Sequence, residues 1–383
     1  MKLAAVLAAT VILAACGTAA GPAQSTKGTV PASATAASSS PSNSPGPVPA
    51  VALVDWDQDG AGYTVSLVAS TGKALASVHA TWSFGGKCGP VEAGIISPPP
   101  VGTSDSRVYY LDAGGLKWLK DDGSKGTAFA SLAPRSSVAL SFAVAPDDSA
   151  FVLNTIDYSA TPLSQDITIT PMGASREGAS IYSARSPSTT PSAAVWPVGW
   201  HGTDLVLAYH RSTCTQGGGP GLGDPTSYHI IDATTAARKV TIGTDSGETC
   251  GLVGFPSPAG IPCAHYLGGS TQILTWTGSS GPVFGGSFPG GLSLSGAAYV
   301  GTVQSGDSSS MSLIRAAGNA SVISGNTGAV MWIDDDHFLI GPFAGPGASA
   351  QSQDRVYDAA TLESTTVSAR GAPIARIPAS FGG

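Results

Sequence analysis

From Val51 nearly to the C terminus, short apolar runs alternate with polar turns. Val51–Trp56, Tyr63–Val68 and Ala74–His79 are rich in β-branched, aromatic or small apolar residues, and Gly, Asp and Ser separate them. Arg107–Leu111 and Gly115–Leu119 continue the pattern. Such runs predict strands, because alternating side chains of an extended chain point to opposite faces. No stretch keeps a helical period for more than about three turns. The chain from residue 51 to 383 is therefore expected to be all-β: a sandwich, a barrel or a propeller.

A slower rhythm decides among these. In Ser141–Asn154 an apolar strand runs into Pro146-Asp147-Asp148, turns, and re-enters a second apolar strand. The rhythm returns at Trp196–Leu207 and Val330–Ile340, with fainter starts near Ile95, Leu252 and Leu292. Further strand-like runs follow each start, as in Tyr228–Asp232 with Lys239–Ile242. The interval lies near the roughly 40–50 residues of a four-stranded blade. The Ser141–Asn154 unit resembles the strand–Ser-Pro-Asp-Gly–strand hairpin of WD40-like β-propeller repeats, with Ala145 in place of the Ser and Asp148 in place of the Gly. The resemblance implies a β-propeller of about seven four-stranded blades. Six starts are visible. The three N-terminal strands and the final run Pro373–Pro378 supply the seventh blade, closing the ring with both chain ends.

The N terminus follows different rules. Lys2 precedes an uncharged apolar run, Leu3–Leu13, and small residues lead to Cys16. The run is short for a membrane-spanning helix, which needs about 20 apolar residues. Leu13-Ala14-Ala15-Cys16, followed by Gly17, resembles the lipobox of bacterial lipoproteins. The resemblance implies that residues 1–15 are a cleaved signal peptide. It also implies that Cys16 carries palmitate-type acyl chains, and that the protein sits on the cell membrane facing outside the cytoplasm. Residues 16–50 are mostly Ala, Ser, Thr, Pro and Gly, with Lys27 the single charge. That composition cannot offset its ordering entropy and reads as a tether, about 30 Å in typical span and about 100 Å at full stretch.

Composition narrows the partners. Charged residues make up 11%, and the net charge is −7. A nucleic-acid partner or a polybasic membrane contact needs a basic face, so neither is expected. The 50 glycines and 28 prolines suit a turn-rich fold. With Cys16 assigned to lipid, Cys88, Cys214, Cys250 and Cys263 remain. An even number in an exported chain suggests two disulfides, with three pairings open. A hairpin turning at Pro256–Ser257 would face Cys250 with Cys263, leaving Cys88 for Cys214; Cys214–Cys250 is the rival.

Candidate chemistry is sparse. Asp55, Asp57 and Asp59, with Gly60, have the alternate-carboxylate spacing of a calcium loop. Tyr63 and Ser66 occupy the ninth and twelfth positions, where further oxygen ligands would stand, so a polar turn is the stronger reading. Asp334-Asp335-Asp336-His337 falls where the repeat demands a turn. The histidines (79, 201, 210, 229, 265 and 337) are not paired at ligand spacing. The glycine-rich run Gln216–Asp224 lacks a P-loop lysine and reads as a loop within a blade, and no Gly-x-Ser-x-Gly elbow occurs. Most tryptophans belong to blade packing; Trp82 and Trp200 are the ones expected to be exposed for stacking on a sugar or peptide. The expected function is a binding or scaffold module for a protein, peptide or glycan. The alternative is an enzyme with its site in the axial channel. Carboxylates converging at the channel mouth would favour the enzyme, and an aromatic patch without them would favour binding.

Overall fold

The computed structural model describes residues 47–379, apart from 83–92, 96–97, 131, 133–136, 161–162, 187–192, 211–213, 217–224, 245–250, 253–254, 265–268, 306–307, 324–327 and 344–352. The chain divides into two units, Met1–Pro45 and Gly46–Gly383, and the described residues belong to the second. Cys16 and the residues read as signal peptide and most of the tether lie outside them.

Along the chain, β1 (Ala50–Trp56), β2 (Gly62–Ala69) and β3 (Ala74–Thr81) open the first sheet. After β4 (Ala93–Ile95), β5 (Val101–Thr103), β6 (Val108–Asp112), β7 (Gly115–Leu119) and β8 (Lys125–Phe129) make the second. The third comprises β9 (Val138–Val144), β10 (Ala150–Asp157), β11 (Leu163–Pro171) and β12 (Ala179–Ser186). β13 (Ala194–His201) and β14 (Asp204–His210) are followed by β15 (Cys214–Gln216), then by β16 (Ser227–Asp232) and β17 (Arg238–Gly243). The fifth sheet is β18 (Gly251–Leu252), β19 (Ile261–Ala264), β20 (Thr271–Leu274) and β21 (Ser280–Phe284). β22 (Ser287–Leu292), β23 (Ala298–Ser305), β24 (Ser308–Arg315) and β25 (Ala320–Val322) form the sixth. The seventh is β26 (Ala329–Trp332), β27 (His337–Gly341), β28 (Arg355–Asp358) and β29 (Ser364–Thr366). Finally β30 (Ala372–Ile377) returns to β1, giving the order β3-β2-β1-β30.

Seven four-stranded antiparallel sheets thus form a seven-bladed β-propeller, and strands from the two ends of the described chain close its first blade. Burial follows position within a blade. The inner strand β9 is buried at every residue, Val138-Ala-Leu-Ser-Phe-Ala-Val144, because both its faces meet neighbouring blades. The outer strands β8 and β29 carry Lys125, Thr127, Ser364, Thr365 and Thr366 to solvent. This gradient is the physical content of the pattern in the sequence: apolar runs face two neighbours, alternating runs face one.

The turn between the first two strands of a blade recurs. Asp148 N–H donates to Ala145 C=O at 3.0 Å, Gly260 N–H to Ser257 C=O at 3.0 Å, and Gly296 N–H to Ser293 C=O at 3.1 Å. The last residue of each turn has positive φ: 61° at Asp148, 140° at Gly260 and 75° at Gly296. Glycine adopts such values without strain, and Asp tolerates the left-handed region better than most residues. The fifth blade therefore turns at Ser257-Pro258-Ala259-Gly260, not at Pro256–Ser257. The register pairs Leu252 with Cys263, and Cys250 lies outside the described residues. The start expected near Ile95 is also displaced: the inner strand of the second blade is Val101–Thr103, and Ile95 lies in β4. β4 belongs to no blade; it pairs with β15, setting Cys214 across from Ile95.

Candidate functional site

A cavity of about 90 Å³ lies on the propeller axis. Every blade contributes to its wall: Gly102, Phe142, Trp200, Phe255, Gly291, Trp332 and Arg376 represent the seven in order around the ring, from the second blade to the first. Pro98, Pro146, Pro197 and Pro256 add rigid apolar surface. Much of the wall is where inner strands enter their first turns, so the cavity sits toward that face. Gly102 matters to its shape: a Cβ there would meet the Phe142 ring at 3.2 Å. Trp332 is fixed by its indole N–H, which donates to Gly291 C=O at 3.0 Å, and by the Phe338 ring 5.0 Å away.

Arg376 is the one ionisable residue among the described lining residues. Burial pulls its guanidinium down to about 10, while the charges of Asp105 and Asp335 oppose that fall. Both acids lie on first turns of flanking blades. Asp335 accepts the Ser295 N–H at 2.8 Å, and the Asp105 N–H donates to Pro146 C=O at 2.9 Å. The cavity is thus mostly apolar and aromatic, with Thr103, Ser257 and one cation in its wall, the cation balanced by carboxylates outside it.

Trp200 was expected to be exposed and is 5% exposed, because its strand faces the axis and the ring fills the channel wall. Trp82 is half-buried against Trp56 and Tyr63, with centroids at 5.5 and 6.3 Å. Neither ring forms the open stacking platform anticipated for it.

The aspartates singled out from the sequence are held apart by separate partners. In the turn after β1, Asp57 bonds His79 Nε2 at 2.9 Å, and Asp59 Oδ1 accepts the Ala61 N–H at 2.9 Å. Asp55 is exposed at the end of β1. Asp334 accepts from the Asp336 N–H and bonds His337 Nδ1, both at 2.9 Å, in the turn between β26 and β27. His201 stacks on Trp276 at 4.7 Å, His229 lies 3.1 Å from Ser227 Oγ, and burial pulls His210 down to about 4. Among the described residues no group of three or more His, Cys, Asp or Glu side chains gathers as a metal-ligand set. Cys263 is buried on β19. Cys88, Cys250, His265 and the glycine-rich run beyond Gln216 lie outside the described residues, as does the side chain of Cys214.

The axial cavity could not be read from spacing, since its wall draws single residues from segments spread across the chain. A weak signal existed: each cavity-facing residue stands near the end of a run that begins a blade.

No family model matches the sequence, and no curated protein does. Solved structures similar to the chain include a protein from Lactobacillus plantarum at 9% identity and a TM-score of 0.45, covering 85% of this chain and 97% of that one. TolB from Acinetobacter baumannii matches at 14% identity and a TM-score of 0.37, covering 88% of each chain. The WD40 domain of Toxoplasma gondii coronin matches at 11% identity and a TM-score of 0.39, over 74% of this chain and 72% of that one. Likenesses this distant say nothing of activity.

Proposed function

We propose that this propeller is a binding module, held at a membrane outside the cytoplasm by lipid on Cys16, that takes an apolar side chain of a protein or peptide partner into its axial cavity. The observation that carries this reading is the cavity wall: aromatic and aliphatic, drawn from all seven blades, with no carboxylate among its described lining residues. A pocket for a whole small molecule is usually at least about 300 Å³, so this volume suits one side chain. Among the described residues the wall offers a glycan few hydrogen-bonding side chains, Thr103, Ser257 and Arg376, and acid–base chemistry would need carboxylates aimed inward. The tether composition of residues 16–50 supports a reach of several tens of ångströms from the anchor, roughly 30 Å in a relaxed coil.

Trp200 and Trp332 line the cavity, so occupancy should alter tryptophan fluorescence. Titration with short capped peptides bearing Leu or Val is expected to give a saturable change that Gly and Ser peptides do not give and that Trp200→Ala abolishes. Equal responses to all the peptides, or none, would reject the cavity as the binding site. Separately, Cys16→Ala is expected to move the full chain from the membrane pellet to the soluble fraction; continued pelleting would reject the lipid anchor.

A further inference from the structure

The ring closes between the seventh blade and the first, and a buried carboxyl stands at that seam. Asp354, just ahead of β28, is 3% exposed. Its main-chain carbonyl accepts the Val367 N–H at 2.9 Å, which ties it to the link leading into β30. Among the described residues, neither oxygen of its side chain meets a donor at hydrogen-bond geometry. Two glycines keep the space around it tight. A Cβ on Gly341 would lie 3.0 Å from Asp354 Oδ1 and 3.1 Å from Pro373 Cδ. Gly371, with φ of 136°, presses on the first blade, where a Cβ would lie 2.6 Å from the Val54 carbonyl carbon.

A carboxylate in such a place has lost its water and gained little in return, with the Gly371 amide and the Arg370 charge too weak to offset burial, so the neutral acid is cheaper to bury. The charged groups facing it are few. Asp55 comes from β1 and Arg370 from the link between β29 and β30. Arg355, the next residue and the first of β28, is directed to Ser364 Oγ at 2.9 Å. The neighbours from β27 and β30, Gly341 and Pro373, carry no charge. Burial pushes the Asp354 carboxyl up to about 7; the Gly371 amide and the Arg370 guanidinium oppose the rise, and the Asp55 charge adds to it.

We propose that Asp354 stands at the seam as a protonated carboxyl, which makes ring closure a joint that tightens in acid and loosens in alkali. On loosening, the proton passes to water and leaves a poorly solvated carboxylate between the first and seventh blades. The sign follows from linkage. In the unfolded chain the group titrates near 4, so the folded state binds the proton more tightly. The stabilisation is complete below about pH 4 and is lost as the pH rises through about 7. This inference stands independently of what enters the axial cavity.

The test is thermal unfolding of the full chain and of Asp354→Asn, together with hydrogen exchange of the β30 amides after correction for intrinsic rates. The amide mimics the neutral acid. At about pH 5 the two proteins should melt alike, and at about pH 8.5 the variant should melt on the order of 5 °C higher with slower exchange in β30. A variant that melts lower than wild type at both pH values would overturn the proposal. Should that variant fail to fold, Asp55→Asn carries the test: removing its charge should lessen the alkaline loss of wild-type stability, and an unchanged profile would count against the proposal. Calcium chloride added at alkaline pH should leave the wild-type midpoint unmoved. A rise that a chelator reverses would replace the proton with a cation held by Asp354 and Asp55.

Discussion

Asp148 explains why the repeat pattern looks loose at its clearest copy. The turn needs a positive φ, which glycine supplies in the WD40-like hairpin, and here Asp148 adopts 61°. Its carboxylate offsets that strain by joining two blades. It accepts the Ser106 hydroxyl at 2.6 Å and the Tyr109 hydroxyl at 2.7 Å, and it pairs with Arg107 Nε at 3.1 Å. Asp148→Ala would leave the Tyr109 hydroxyl without its acceptor and place a residue in the left-handed region without local compensation. A loss of about 2–4 kcal/mol in denaturant unfolding is expected. Asp148→Asn tolerates the same backbone and keeps an acceptor, so it should lose less than half of that. Equal losses for both would mean that charge alone matters there.

At the scale of elements, two kinds of turn hold the strands in order. Asp232 Oδ1 accepts the N–H groups of Thr234 and Thr235, and Asp358 Oδ1 those of Ala360 and Thr361, at 2.8–2.9 Å. Ala236 and Leu362 then both adopt a φ of 59°. These matching turns lie between the third and fourth strands of their blades, a second internal repeat carried by short polar side chains. Ring closure rests on β30, which pairs with β1 from Ala50↔Ile377 to Val54↔Ala372 and buries Ile374 and Ile377. Deleting residues 372–383 would bare the β1 edge and remove two buried isoleucines, each worth about 1.5–3 kcal/mol, from the core they cover. The truncated chain is expected to lose its single cooperative unfolding transition and to associate at micromolar concentration, as read by calorimetry and light scattering. A monomer with an unchanged midpoint would contradict the role given to β30.

For the whole molecule, the connection between the first and second blades reaches the fourth. β4 lies between β3 and β5, β15 lies between β14 and β16, and the two pair through Cys214↔Ile95, Thr215↔Gly94 and Gln216↔Ala93. This brings the Cys214 backbone to a segment only a few residues from Cys88 along the chain. Leu252 faces Cys263, and Cys250 stands two residues before Leu252 in the sequence. We propose the pairs Cys88–Cys214 and Cys250–Cys263. Non-reducing peptide mapping is expected to recover these two linked pairs. Recovery of a Cys214–Cys250 peptide would refute them.

The all-β class, most strand positions and the blade count were legible in the chain. They follow from local rules: residue alternation, turn chemistry, and the need to bury runs that are apolar on both faces. The turn at Asp334–Asp336 was readable for the same reason. Trp200 was misjudged because burial depends on which blade its strand faces, and a ring next to a turn looks exposed until the axis is formed. The hairpin between Leu252 and Cys263 was misplaced because the Ser-Pro-Ala-Gly turn at 257–260 competes with a neighbouring proline, and only the ladder fixes the register. The cavity wall and the charge state of Asp354 lie beyond any local rule. Both are set by desolvation, which arises when residues distant in the chain close around a point and remove its water.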